Sequence, residues 1–141
     1  MMKVMKQIEI CAPREVVYGV YADIRRWKDV LTDVRAISIF YDDGRHQEFD
    51  MTVKRGDKDE TVHSVRFCYP CHSIEIFQTK PPPLLSKMSG IWTFSSEGEM
   101  TSVQAIREFE IKQGYGFDIT LLEKFLEHNL KSFKNWIEKS A

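Results

Sequence analysis

A continuous run of β-strand signals from Val34 to Ile111 constrains the fold of this chain most strongly. Six segments alternate between apolar and polar residues, and turn sequences such as Asp42-Asp43-Gly44 separate them. The predicted strands are Val34–Tyr41, His46–Lys54, Glu60–Cys68, Ser73–Lys80, Ser86–Ser95 and Thr101–Ile111. Consecutive strands that are joined by short turns pair antiparallel. The run therefore predicts an antiparallel sheet.

Helical segments flank this run of strands. A long helix is predicted over Asp118–Lys139, because its apolar residues recur at helical spacing. At the other end, a strand over Lys3–Cys11 is followed by two short helices, and Asp23 is suited to cap the second. The order predicts an α+β fold: a seven-stranded curved antiparallel sheet wrapped around a long C-terminal helix, with two short helices after strand 1. Such a sheet and helix can enclose a ligand cavity.

Length, charge and composition limit the class of protein. The chain has 141 residues, which predicts a single domain over residues 1–141. Its net charge of −1 does not favour a nucleic-acid partner. No apolar run approaches the roughly 20 residues of a membrane span, and the N-terminal segment lacks the apolar stretch of a signal peptide. We therefore expect a cytoplasmic protein without a membrane span.

The string Cys68-Tyr69-Pro70-Cys71-His72 matches the C-x-x-C-H pattern of haem, zinc and thiol-redox sites. Predicted strands lie on both sides of it, and Tyr-Pro is favourable turn chemistry. A redox site would need a helix after the first cysteine, and a structural zinc site would need four ligands. The sequence favours a hairpin turn with incidental thiols, so we expect neither a metal nor a cofactor.

Several segments together resemble the START/SRPBCC superfamily, which has the helix-grip fold of the birch-pollen allergen. The residues that carry the resemblance are APREVVYGVYADIRRWKDVL (12–31), SVR (64–66), IEIFQTKPPP (74–83), GIWTF (90–94), TSVQAIREFEI (101–111) and NLKSFKNWIE (129–138). Their order is most similar to that of single-domain polyketide cyclase/aromatase proteins. The resemblance spans nearly the whole chain and implies the same fold that the strand and helix patterns predict.

The resemblance also implies a set of cavity residues. In such proteins an arginine, here Arg66, is thought to stabilise enolate oxygens of a poly-β-ketone held on an acyl carrier protein. Two positions depart from the family pattern: Val34 replaces a proton-donating tyrosine, and Gln78 replaces a second arginine. The candidate catalytic residues are Arg66, Ser64 and His128, and the candidate ligand-binding residues are Trp27, Met51, Gln78, Trp92, Phe94 and Arg107.

Strand periodicity supports part of this set and leaves an alternative. Arg66 shares a strand face with Ser64, and the opposite face carries the more apolar Val65 and Phe67. Either face could therefore point into the cavity when the pattern is considered without the resemblance. Arg107 is in phase with apolar neighbours, which makes it a second candidate cavity cation.

Histidine and tryptophan positions have structural alternatives as well. His128 lies near the edge of the apolar stripe of the long helix, where it either faces the cavity or is a boundary residue. Trp27 and Trp92 are either ligand platforms or core residues.

Two classes of function follow from these observations. One is a polyketide cyclase/aromatase that binds a hydrophobic polyketide or aromatic ligand and promotes aldol cyclisation and dehydration. The other is a non-catalytic binding or carrier protein for a lipid, quinone or other hydrophobic molecule. The expected partners are a hydrophobic or polyketide-like small molecule and, for the first class, an acyl carrier protein.

Overall fold

The computed structural model describes residues 2–114 and 119–140. Its elements are β1 (Met2–Ile10), α1 (Arg14–Ala22), a 3-10 turn (Ile24–Arg26), α2 (Trp27–Val30), β2 (Val34–Asp42), β3 (His46–Arg55), β4 (Lys58–Tyr69), β5 (Ser73–Lys80), β6 (Leu85–Glu97), β7 (Met100–Ile111) and α3 (Ile119–Lys139). The described strands form one seven-stranded sheet in the order β1-β7-β6-β5-β4-β3-β2, and each neighbouring pair is antiparallel. The predicted α+β fold is confirmed.

One face of the sheet is buried against α3. On β4 the buried residues Val62, Ser64 and Arg66 alternate with residues that are more exposed. Because side chains on a strand alternate between the two faces, this pattern places Arg66 on the inner face. The buried residues of α3 lie on one stripe at helical spacing; they are Leu126, Leu130, Phe133 and Ile137.

The short helices close one end of the sheet and contact α3 through aromatic rings. The ring of Tyr21 at the end of α1 stacks on Phe133 of α3, with 3.9 Å between the ring centroids. Trp27 at the start of α2 meets the same ring edge-on at 5.2 Å. Stacked and edge-on pairs of this kind add stability beyond the area that they bury. The three helices therefore share one aromatic contact above the sheet.

The ends of some strands and helices differ from the sequence predictions, because backbone hydrogen bonding continues beyond the residues that show the hydrophobic pattern. β6 extends from Leu85 to Glu97 because its ladder with β7 continues to the pair Glu97 and Met100. The predicted second short helix consists of the 3-10 turn followed by α2, and the Asp23 side chain accepts a hydrogen bond from the Arg25 N–H. Asp118, where the long helix was predicted to begin, lies outside the described residues.

The C-x-x-C-H string forms the turn between β4 and β5, as the sequence predicts. The Tyr69 carbonyl accepts a hydrogen bond from the His72 N–H at 2.9 Å, and Cys71 has a φ of 63°. That conformation is the one in which glycine is preferred at the third position of a type II turn. Among the described residues, no group of three or more His, Cys, Asp and Glu side chains is arranged to hold a metal ion.

None of the described helices is both long enough and apolar enough to cross a bilayer.

Candidate ligand site between the sheet and the terminal helix

Three adjoining pockets lie between the inner face of the sheet and α3. The inner pocket, of about 150 Å³, is bounded by Trp27, Met51, Gln78, Trp92, Arg107 and Asn129. The side pocket, also about 150 Å³, is bounded by Leu31, Val34, Val53 and His128. The outer pocket, of about 460 Å³, is bounded by Lys54, Pro82, Leu84 and Leu121. Arg55 and Phe125 line all three, so the pockets meet at this pair.

Arg107 of β7 is the buried cation that lines the inner pocket. Its guanidinium carbon lies 4.3 Å from the centre of the Trp92 ring, and its Nη1 donates to the Ile106 carbonyl at 3.0 Å. The side chain is only 7% exposed. Among the described residues, no carboxylate forms an ion pair with it. The inner pocket therefore presents a buried positive charge that the surrounding acidic residues do not neutralise.

A glycine on the neighbouring strand makes room for this arginine. Gly90 of β6 is the direct cross-strand partner of Arg107. A Cβ atom at position 90 would lie 2.6 Å from Arg107 Nη1 and 2.7 Å from its Cδ. Such distances are well inside van der Waals contact. The guanidinium can thus occupy its place over the Trp92 ring only because residue 90 has no side chain.

Arg66 of β4 lies near the same tryptophan. It is fully buried; its Nε donates to Gln47 Oε1 at 2.9 Å, and its Nη2 donates to the Tyr21 and Ala22 carbonyls at 2.9 and 3.1 Å. Its guanidinium carbon is 5.7 Å from the centre of the Trp92 ring. Arg66 does not line any of the three pockets. It therefore contacts the tryptophan that lines the inner pocket without lining the pocket itself.

Burial lowers the pKa of both arginines to about 10. For Arg107, Tyr21 opposes this shift and the charge of Arg66 adds to it. Both guanidinium groups remain protonated at neutral pH, because a pKa of about 10 is well above 7.

Several polar atoms along the pocket wall have no hydrogen-bond partner among the described residues. Gln78 Oε1 of β5, Asn129 Oδ1 of α3 and Trp92 Nε1 are buried and unpartnered. A buried polar group without a partner costs about 1–3 kcal/mol. A ligand with polar substituents can remove that cost, so these atoms indicate where a ligand would be held.

Comparisons with known proteins agree with this architecture. The sequence profile of the family described as "Polyketide cyclase / dehydrase and lipid transport" matches residues 10–137. The chain belongs to this family. It is also 33% identical over 91 residues to the actinorhodin polyketide synthase bifunctional cyclase/dehydratase of Streptomyces coelicolor. That alignment covers 55% of this chain but only 29% of the relative.

Solved structures of cyclases and START proteins share the fold. The Zhui aromatase/cyclase from Streptomyces sp. R1128 superposes with a TM-score of 0.81 at 20% identity, covering 96% of this chain and 90% of that one. A START superfamily protein from Mycobacterium smegmatis gives a TM-score of 0.86 at 19% identity, with 99% of both chains covered. These structures confirm the predicted helix-grip fold, and the profile match over residues 10–137 confirms the predicted polyketide cyclase family.

Within this polyketide cyclase/dehydrase fold, the residues that were predicted to bind ligand fall into two groups. Five of them line the inner pocket: Trp27, Met51, Gln78, Trp92 and Arg107. Phe94 is buried elsewhere, where its ring meets those of Tyr18 and Tyr21 edge-on. Phe94 thus lies in the aromatic core beside α1 and does not line any of the three pockets.

The residues that were predicted to be catalytic do not converge on one point. Ser64 is fully buried and, like Arg66, does not line any of the three pockets. His128 is exposed and lies at the rim of the side pocket. Of the three, only His128 can reach a ligand in the pockets as they stand, and its catalytic role stays a prediction.

Sequence reasoning missed Asn129 and Arg55, although the sequence carried a signal for each. Asn129 is in phase with Leu122, Leu126 and Phe133, so it is a polar residue within the apolar stripe of α3. Arg55 follows the inward-facing Met51 and Val53 at a period of two. Its guanidinium carbon lies 4.7 Å from the Phe125 ring centre, and its Nε lies 3.5 Å from Glu60 Oε2. A polar residue in phase with apolar ones was the common signal.

Proposed function

We propose that this protein binds a polyketide-type chain in the three pockets and promotes its aldol cyclisation and dehydration. The observation that carries the proposal is the charge of Arg107, which is buried against Trp92 in a pocket that no Asp or Glu side chain lines among the described residues. A donor of this kind, fixed in place before the reaction, stabilises negative charge that develops on a ketone oxygen. The outer pocket has room for the rest of the polyketide. In this proposal, the outer pocket faces the acyl carrier protein to which the polyketide is attached.

The chemistry requires one new carbon–carbon bond and the loss of one water molecule. A proton leaves the carbon between two carbonyl groups, and the resulting enolate oxygen lies on Arg107. The enolate carbon attacks a second carbonyl carbon, whose oxygen takes up a proton to become a hydroxyl group. Loss of water then gives the double bond of the forming ring. His128, at the solvent-facing rim of the side pocket, is our candidate to exchange these protons.

The role of Arg66 in this proposal is to position the site. It holds the backbone at the end of α1 and supports Trp27, whose ring centre lies 4.9 Å from its guanidinium carbon. The wall that Trp27 and Trp92 form would then fix the plane of the ligand. Ser64, buried on the same strand face, belongs to this supporting layer.

The test is product formation from a carrier-bound poly-β-ketone, compared with spontaneous cyclisation. Replacing Arg107 by methionine should lower the rate of directed cyclisation by about 100- to 1,000-fold, as expected for the loss of one oxyanion donor. Arg35→Met is the matched control, because Arg35 is an exposed cation that pairs with Asp59 and does not line the pockets. A melting curve for each variant separates loss of activity from loss of fold.

The carrier function remains the second candidate, because exposed apolar side chains surround the outer pocket. Leu84, Leu121 and Phe125 are 39%, 48% and 44% exposed there. Exposed apolar groups at the mouth of a pocket favour the entry of a hydrophobic molecule. If the wild-type protein binds the poly-β-ketone but never changes the mixture of products that forms spontaneously, the result supports the carrier function and contradicts the cyclase function.

A further inference from the structure

The inner pocket has the charge and size to recognise a ligand that is already an anion before any reaction. We propose that it binds an aromatic carboxylate of one or two rings, with the carboxylate on Arg107. This proposal rests on the proposed function, because it assigns a ligand class to the same pocket. It differs from that function in that a carrier-bound polyketide is a neutral thioester until it enolises.

Charge is the first argument. Within the described part of the chain, the Arg107 guanidinium donates one hydrogen bond, from Nη1 to the Ile106 carbonyl, and forms no ion pair. Guanidinium groups present paired N–H donors that match the two oxygens of a carboxylate. Arg55 lines the same pocket, but Glu60 pairs with it at 3.5 Å, so Arg107 carries the unpaired charge. An anion is therefore the ligand charge that this lining favours.

The second argument is the size of the pocket. An apolar cavity of roughly 150 Å³ is known to hold a benzene molecule. The inner pocket has about this volume, and the adjoining side pocket adds another 150 Å³. One ring fits the first pocket, and a fused second ring reaches the other. A ligand longer than two fused rings has to extend into the outer pocket.

The third argument is the composition of the walls. Trp27 and Trp92 meet edge-to-face, with 5.6 Å between the ring centres, and both line the inner pocket. In the same pocket, the unpartnered Gln78 Oε1 and Asn129 Oδ1 can accept hydrogen bonds from hydroxyl substituents. Aromatic walls, one unpaired cation and two amide groups together suit an aromatic acid, and hydroxyl groups on its ring would find partners.

The experiment compares two probes that have nearly the same shape and differ in charge. The probes are 2-naphthoate and its neutral amide, 2-naphthamide, and the measurement is isothermal titration calorimetry with the wild-type protein. We expect naphthoate to bind at least about tenfold more tightly than naphthamide, the discrimination that one charge-assisted hydrogen bond provides. In the Arg107→Met variant, the ratio of naphthoate affinity to naphthamide affinity should fall to about one, and naphthamide should bind as tightly as it does to the wild type. Arg35→Met should leave the preference unchanged.

The possible failures are distinguishable. Equal affinity of the two probes, or binding of naphthamide alone, would overturn this proposal and leave the cyclase proposal intact, provided that carrier-bound chains are still cyclised. Binding of neither probe would also overturn it. The comparison of the two probes on the wild-type protein decides the matter even if the Arg107 variant does not fold. Loss of cyclisation in the product assay, with naphthoate still bound, would overturn the cyclase proposal alone.

Discussion

At the scale of single residues, the site depends on the pair formed by Gly90 and Arg107. The sequence alone placed Arg107 in phase with apolar residues, but it gave no reason for a glycine in the middle of the facing strand. Glycine inside a strand often marks a close approach by another group. Here that group is the guanidinium, together with the Ile106 carbonyl oxygen, 2.6 Å from where a Cβ atom of residue 90 would lie.

Replacing Gly90 by alanine should therefore destabilise the protein by about 1–3 kcal/mol, the usual cost of overpacking. The double variant Gly90→Ala/Arg107→Met should recover only part of this loss, because the Ile106 carbonyl stays in the way. Gly19→Ala is the control: Gly19 lies inside α1 with open space around it, so alanine should stabilise the protein by about 0.5–1 kcal/mol. Urea unfolding measures the free energy of unfolding of these three variants. Equal stability of the two alanine single variants would show that Gly90 is not crowded.

The anion preference has a pH dependence that belongs to the same residue. Because burial lowers the pKa of Arg107 only to about 10, the group stays charged at neutral pH. Naphthoate affinity should be constant between about pH 6 and pH 9 and should weaken as the pH rises through about 10. Naphthamide affinity should show no such loss. Calorimetry at a series of pH values provides the measurement, and a loss of naphthoate binding already between pH 6 and 9 would assign the anion to a different group.

At the scale of elements, Arg66 joins α1 to the sheet. The Tyr21 carbonyl that accepts from Arg66 also accepts from Trp27 Nε1, and the Ala22 carbonyl also accepts from Gln47 Nε2. One buried network thus holds the end of α1, the start of α2 and strands β3 and β4. The sequence identified Arg66 through a family resemblance, but it could not reveal this network, because the carbonyl partners are backbone groups distant in the chain.

Replacing Arg66 by methionine should cost about 1–3 kcal/mol of stability, because Gln47 Oε1 loses a buried charged donor. In a double-mutant cycle, Gln47→Leu should cost at least about 0.5 kcal/mol less in the Arg66→Met background than alone. Naphthoate affinity of the folded Arg66→Met protein should stay within about threefold of wild type, since Arg66 does not reach the pocket. Urea unfolding and calorimetry on the same preparations test both statements. If the Arg66→Met variant is as stable as the wild type but no longer binds naphthoate, Arg66 contacts the ligand directly.

At the scale of the whole molecule, periodicity predicted the fold well because it reports which face of each element is buried. The strand alternation, the apolar stripe of α3 and the turn at Tyr69-Pro70 all appear as expected. Periodicity could not predict which residues of the inner face line a pocket and which are packed in the core. Phe94 and Trp92 are both buried on one face of β6, but only Trp92 lines a pocket, whereas Phe94 packs edge-on against Tyr18 and Tyr21 of α1.

The central claim is that a ring-bearing anion binds between the sheet and α3 with its charge on Arg107. Anomalous diffraction from crystals of the protein with a bromine-substituted 2-naphthoate tests this claim most directly, because bromine marks one end of the ligand. We expect a bromine peak in the inner or side pocket, with the carboxylate against Arg107 and the rings beside Trp92. A peak only on the outer face of the sheet, or only in the outer pocket away from Arg107, would contradict it.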